Sequence, residues 1–179
     1  MSTKKICFFL CLLTFCLNLQ ASFPDLSRAH MSLGGNVSIL SKIELTGKYY
    51  LNININPSIS YIINNTWEVG VRPTLNITLL RPYKVAHYID WGLAGFLRKY
   101  FPINDIFTMY AGANVGARIF DGNFKSFKGV AGVEGGFLIG LNDYVAIDIG
   151  MPVSAYFDGM SAFNRLEFPL GFWGLKAFF

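Results

Sequence analysis

Cysteine is confined to the first 16 residues of the sequence, as Cys7, Cys11 and Cys16. The rest of the chain has no disulfide framework and no thiol chemistry to draw on. Histidine is nearly as scarce, with only His30 and His87, and no carboxylate loop has the spacing of a calcium site. Nothing in the residues points to a metal or any other cofactor. Charged residues make up 15% of the chain, and no basic cluster is interleaved with aromatics, which argues against a nucleic-acid surface. The glycines of 129–136 lead into no helical pattern, so they do not form a phosphate loop. After residue 21 no apolar run reaches the ~18 residues of a membrane-spanning helix.

The first 21 residues read as a secretory signal. Lys4 and Lys5 form a basic start, Ile6 to Leu17 an apolar core, and Leu19-Gln20-Ala21 a cleavage site. Cleavage before Cys16 as a lipoprotein is disfavoured, because Phe15 is large. Removing Lys4 and Lys5 takes the formal charge from +4 to +2. Residues 22–179 then form one domain, rich in aromatics (16%) and in glycine, unlike a disordered chain.

That domain is organised around Tyr49 to Asn64, YYLNININPSISYIIN. Its odd positions are almost all apolar, and its even positions are mostly Asn and Ser. Only a strand sorts residues this way, since a 3.6-residue period would mix them. At about 3.3 Å per residue the stretch would run on the order of 50 Å, roughly three times an ordinary strand. A second alternating strand, Trp67 to Leu80, follows the polar turn Asn64-Asn65-Thr66. If Ile63 faces Trp67, then Tyr61 faces Val69, Ile59 faces Val71 and Ile55 faces Leu75. Pro57 then falls opposite Pro73, where a bulge or a broken ladder is expected. Pro152 and Pro169 raise the same expectation elsewhere.

Further alternating stretches are Met31 to Lys42, Tyr88 to Phe101, Ile106 to Phe120, Lys128 to Leu141, Tyr144 to Phe157 and Arg165 to Phe179. The last has ambiguous parity before Gly171. Phe23 to His30 is a short arm without periodicity. The expected fold is an all-β, eight-stranded antiparallel up-and-down transmembrane β-barrel. A soluble barrel with its apolar face inward is the alternative, and the polar face decides between them. That face carries Gly70, Gly92, Gly112, Gly116, Gly132, Gly136, Gly140, Gly150 and Gly174 rather than a coat of Lys and Glu. Its charges are Glu68, Asp90, Glu134 and Asp148 against Arg72, Arg98, Arg118 and Lys176. Four against four predicts mutual pairing in an enclosed interior.

The signal, the eight alternating strands and the ending FWGLKAFF resemble the small OmpA/OmpX-type outer-membrane β-barrel proteins of Gram-negative bacteria. The segment YLNININPSISYIINNTWEVGVRP is similar to the second and third strands of that family. The resemblance implies an outer-membrane location. It implies that Trp173, Leu175, Ala177 and Phe179 form the assembly signal read by the outer-membrane assembly machinery. It also puts the termini and tight turns in the periplasm and the loops near 43–47, 81–87, 121–127 and 158–164 outside. No tether to peptidoglycan through a periplasmic domain after the barrel is expected.

Some barrels of this size modify lipid A, using Ser, His and an acid. Here His87 and Asp90 are close in sequence, but no Ser stands with them, and the reading is not an enzyme. A narrow pore is the other alternative, though an eight-stranded interior is readily filled by side chains. The loops hold Lys42, Lys48, Arg81, Lys84, Lys125 and Lys128 against Glu44, Asp121 and Asp158, an excess that could meet lipopolysaccharide phosphates. The expected protein is a monomeric, non-catalytic envelope component. Its expected partners are outer-membrane lipids and lipopolysaccharide, and nucleic acid is not among them.

Overall fold

The structure, a computed structural model, describes residues 24–43, 49–81, 87–119, 127–158, 162–167 and 171–179. Nine strand segments run β1 (Met31–Ile43), β2 (Tyr49–Ile63), β3 (Trp67–Arg81), β4 (His87–Pro102), β5 (Phe107–Ile119), β6 (Phe127–Asn142), β7 (Val145–Asp158), β8 (Ala162–Glu167) and β9 (Phe172–Phe178). Each of β1 to β7 pairs antiparallel with the next. Segments β8 and β9 both lie along β7, and β9 closes the ring against β1. The result is a closed barrel of eight staves, the last in two pieces. The proposed signal and most of the proposed loop residues lie outside the described residues.

The hairpin register is the one the alternation dictates. Ile63 pairs with Trp67, Tyr61 with Val69, Ile59 with Val71 and Ile55 with Leu75. The β2–β3 ladder is interrupted between Ile55–Leu75 and Ile59–Val71 without changing register. Pro57 and Pro73 sit in that gap, since neither can donate a ladder hydrogen bond. On their other edges both remain in register, Pro57 with Gly35 and Pro73 with Leu93. Pro152 stays paired with Glu134, and Pro169 lies outside the described residues.

One end of the barrel carries the tight turns. Asn64 and Asn65 adopt φ of 50° and 58°, a left-handed conformation that asparagine tolerates and that suits the twist of a hairpin. In the next two turns an asparagine side chain replaces a backbone acceptor. Asn104 Oδ1 takes the N–H groups of Ile106 and Phe107, and Asn142 Oδ1 those of Tyr144 and Val145.

The eighth stave explains its own ambiguous parity. Against β7, Glu167 pairs with Ser154, whereas Phe172 pairs with Gly150. The two registers differ by one residue, and a one-residue slip exchanges the faces of a strand. In β8 the odd residue Glu167 lines the interior while Leu166 is exposed. In β9 the even residues Phe172 and Lys176 are buried, while Trp173 and Leu175 are exposed. Gly171, at φ 131°, stands at the start of the new register.

Burial is inverted relative to a water-soluble barrel. The outward face exposes Leu93 (56%), Val115 (64%), Val133 (58%) and Met151 (62%). Inward-facing Glu68, Arg98, Glu134, Asp148 and Lys176 are all buried. At the turn end the outward face bears Tyr61, Trp67, Phe101, Phe107 and Phe179, and Lys99 lies over Trp67 and Phe101. The residues before β1 fold under this same end. Pro24, Leu26 and Ala29 are buried there, and Leu26 and Ala29 join Ile62, Leu138, Ala146 and Phe178 in an apolar cluster. The N–H groups of His30 and Met31 bond the Phe179 carbonyl and fix this cap to the last strand.

Candidate functional site

The lumen is where the chain concentrates its chemistry, and it is layered. Above the apolar cap lies a carboxylate, Glu68 on β3, held by four donors. Lys176 on β9 forms an ion pair with it, the hydroxyls of Tyr100 and Ser60 donate to it, and Ser32 Oγ donates at 2.8 Å. The Oγ atoms of Ser32 and Ser60, on neighbouring strands, stand 2.6 Å apart, a close approach rather than a further bond while both hydroxyls donate to Glu68. A fully buried carboxylate survives only with this density of donors, because isolated burial of the charge is prohibitive.

The next layer is built on Arg98. Its Nε bonds Glu134 at 2.5 Å and its Nη1 bonds Asp148 at 2.8 Å. Glu134 receives a second guanidinium, Arg72, in a two-pronged contact at 2.8 and 3.0 Å. Asp148 also accepts the Tyr110 hydroxyl at 2.7 Å. The Phe96 ring lies 4.6 Å from the Arg72 guanidinium and 5.6 Å from that of Arg98, so its π face meets both cations.

Glycine makes these crossings possible. The sheet row runs Glu68, Arg98, Gly112, Glu134 across β3 to β6. A Cβ on Gly112 would stand 2.9 Å from Arg98 Cγ, in the space the arginine uses to reach Glu134. At Gly136 a Cβ would stand 2.6 Å from the Tyr110 hydroxyl.

Six of the eight interior charges read from the sequence thus form one block of three acids and three bases. Asp90 and Arg118 stand apart from it, toward the loop end. Asp90 accepts from Asn76 Nδ2 at 3.1 Å, and Arg118 donates to the Tyr156 hydroxyl at 2.9 Å. Sequence reasoning missed Tyr100, Tyr110, Ser32 and Ser60 as members of the block. Their even positions, shared with the charges, were the available signal. It also missed Glu167, which the parity switch turns inward. Trp173, Leu175 and Phe179 face outward on the last stave, with Ala177 half-buried among them.

Between the ion-pair block and the loop end lies a cavity of about 120 Å³, room for several waters. One wall is the even face of β1 to β3, with Asn36, Ser38, Asn54, Asn56, Arg72 and Thr74. The facing wall includes Asn114, Arg118, Ser154, Tyr156 and Glu167. No group of three or more His, Cys, Asp or Glu among the described residues is placed to hold a metal. His30 is exposed at the turn end, and the backbone of His87 begins β4 at the opposite end.

The crystal structure of Neisserial surface protein A matches this chain with a TM-score of 0.54 at 15% identity, over 83% of this chain and 97% of that one. The fold is that of the small outer-membrane barrels. Two further matches are the outer membrane protein OprG from Pseudomonas aeruginosa and the outer membrane enzyme PagL. OprG has a TM-score of 0.48 at 11% identity, over 84% of this chain and 96% of that one. PagL has a TM-score of 0.47 at 11% identity, over 82% and 97%. No protein-family model and no curated protein matches the sequence.

Proposed function

We propose that the chain is an outer-membrane barrel of the OmpA/OmpX type, exported by a cleaved signal at residues 1–21. In this reading it is a monomeric, non-catalytic component of the Gram-negative envelope. One observation carries the membrane reading: the barrel exposes its apolar side chains and buries its charges. A contiguous apolar band around the whole wall is what a bilayer solvates and water does not. The aromatic residues of the turn end, with Lys99 lying over two of their rings, fit an interface with the periplasm. The outward-facing row Trp173, Leu175, Ala177 and Phe179 is accessible for capture by the assembly machinery.

The lumen favours a structural role over a pore. Two ion-paired layers and an apolar cap cross it, and opening a path would strand buried charges. It also offers little to an enzyme reading: Asp90 is engaged by Asn76, and His30 lies at the far end from it. Contact with lipopolysaccharide phosphates would fall to the loop bases. Of these, Lys128 already pairs with Asp158 at 3.2 Å, while Lys84 and Lys125 lie outside the described residues.

Mass spectrometry of lipid A from cells with and without the protein tests the non-catalytic reading. The expected result is identical lipid A, with the protein in the outer-membrane fraction. A defined loss or gain of an acyl chain overturns it and directs attention to His87 and Asp90.

A further inference from the structure

The geometry points to a binding site for a small uncharged polyol, of glycerol to monosaccharide size, in the cavity above the ion-pair block. The plug does not need this cavity, and the cavity is not a simple continuation of the plug. Its charged members are already engaged. Arg72 is held in two-pronged contact by Glu134, Arg118 donates to Tyr156, and Glu167 has a partner of its own. What remains is mostly neutral: Asn36, Ser38, Asn54, Asn56, Thr74, Asn114 and Ser154.

The wall is ordered by the sheet. Asn36 stands beside Asn56, Ser38 beside Asn54, and Asn54 beside Asn76. Asn56 Nδ2 donates to Asn36 Oδ1 at 2.8 Å, which leaves Asn36 its two N–H groups and Asn56 its carbonyl and one N–H. Asn54 and Asn114 add further amide donors and acceptors to the lining. Adjacent hydroxyls of a polyol also donate and accept, and they match such a wall without adding charge.

The other ligand classes fit less well. An anion would find Arg72 already neutralised by Glu134 and only Arg118, which is held by the neutral Tyr156 hydroxyl, as a counter-charge on a wall otherwise made mostly of neutral amides and hydroxyls. An apolar molecule would leave several amides and hydroxyls unpaired, at about 1–3 kcal/mol each. The NININ run that dominates the sequence therefore has a use beyond solvating a lumen.

The test uses the full mature protein in phosphatidylcholine nanodiscs, which carry no sugar headgroups. The side-chain amide NMR signals of Asn36, Asn54, Asn56 and Asn114 are followed during titration with glucose, glycerol, glycine and inorganic phosphate. Glucose or glycerol is expected to shift these signals saturably, with those of Asn64 and Asn142 unmoved. Asn56→Leu is expected to weaken binding by about tenfold. Thr74→Val with Ser154→Ala removes two hydroxyls without added bulk and is expected to act in the same direction if the leucine variant does not fold. Water alone in the cavity, seen as no saturable shift with glucose or glycerol, overturns the proposal. So does a stronger response of the same amides to glycine or phosphate.

Discussion

Arg98 and Glu134 stand on the same row of the barrel wall, separated only by Gly112, and the arginine crosses that glycine to bond the carboxylate at 2.5 Å. The same guanidinium continues to Asp148 on β7 at 2.8 Å. One cation therefore joins three strands across the lumen. Removing it leaves Glu134 with Arg72 and Asp148 with the Tyr110 hydroxyl.

Arg98→Ala is expected to destabilise the folded barrel by about 3–5 kcal/mol, since it strands buried negative charge. Urea unfolding of the protein in vesicles measures this. In a double-mutant cycle with Asp148→Ala, the two losses should fail to add, with coupling of about 0.5–3 kcal/mol. Additive losses would mean that the pair is not energetically linked.

Gly171 and Gly95 should respond oppositely to alanine. Gly171 has φ of 131°, where any Cβ is strained, and it starts the register in which the last stave faces Lys176 inward. Gly171→Ala is expected to cost about 1–3 kcal/mol. At Gly95 an added Cβ meets nothing closer than 3.9 Å, and Gly95→Ala should stay within about 0.5 kcal/mol of the parent. Equal unfolding midpoints for the two variants would remove the strained register change from the account.

The contrast between these glycines marks what the sequence could convey. Strict alternation, as in Tyr49 to Ile63, fixes both the face and the pairing of a strand, so the β2–β3 register was readable down to single residue pairs. Alternation carries no record of a slip. The turnover between Glu167 and Phe172 appears in the sequence only as weak parity, and Glu167 was lost as an interior residue. Parity also gives the face without the height. Asp90 and Arg118 share the inner face with Arg98, yet their positions along the staves put them beyond reach of the block. The cap was illegible for a further reason. Leu26 and Ala29 are buried by a turn rather than by a strand or helix, and no period announces a single turn.

The cap has its own acid-sensitive detail. Asp25 accepts the Ser27 hydroxyl at 2.6 Å and the Ser27 N–H at 2.9 Å, with Arg28 3.3 Å away. These hydrogen bonds, led by the Ser27 hydroxyl, hold its carboxyl below the usual carboxylate range. Because the folded form favours the carboxylate, the turn contacts persist above the ordinary pKa and are lost as pH falls through the depressed one. An NMR titration should place the Asp25 midpoint lower in the parent than in Ser27→Ala. An unchanged midpoint would mean that the Ser27 hydroxyl does not bind the carboxylate in solution.

The membrane reading makes the sharpest demand on the outer wall. Leu93 is more than half exposed near the middle of β4, directly between Pro73 and Ala117 in the sheet. In water, Leu93→Arg would be an ordinary surface change within about 0.5 kcal/mol. In a bilayer, arginine near the midplane of a barrel wall costs about 2–4 kcal/mol, and the cost fades toward the interfaces. Arginine at Phe101, in the aromatic ring of the turn end, should therefore cost far less than at Leu93. Unfolding of the two variants from lipid vesicles separates the cases. A depth-dependent penalty identifies the apolar band as a lipid contact, because only a solvent that changes along the barrel axis can tell the two positions apart. Equal and small effects would return the barrel to water and leave its exposed apolar wall in need of a protein partner.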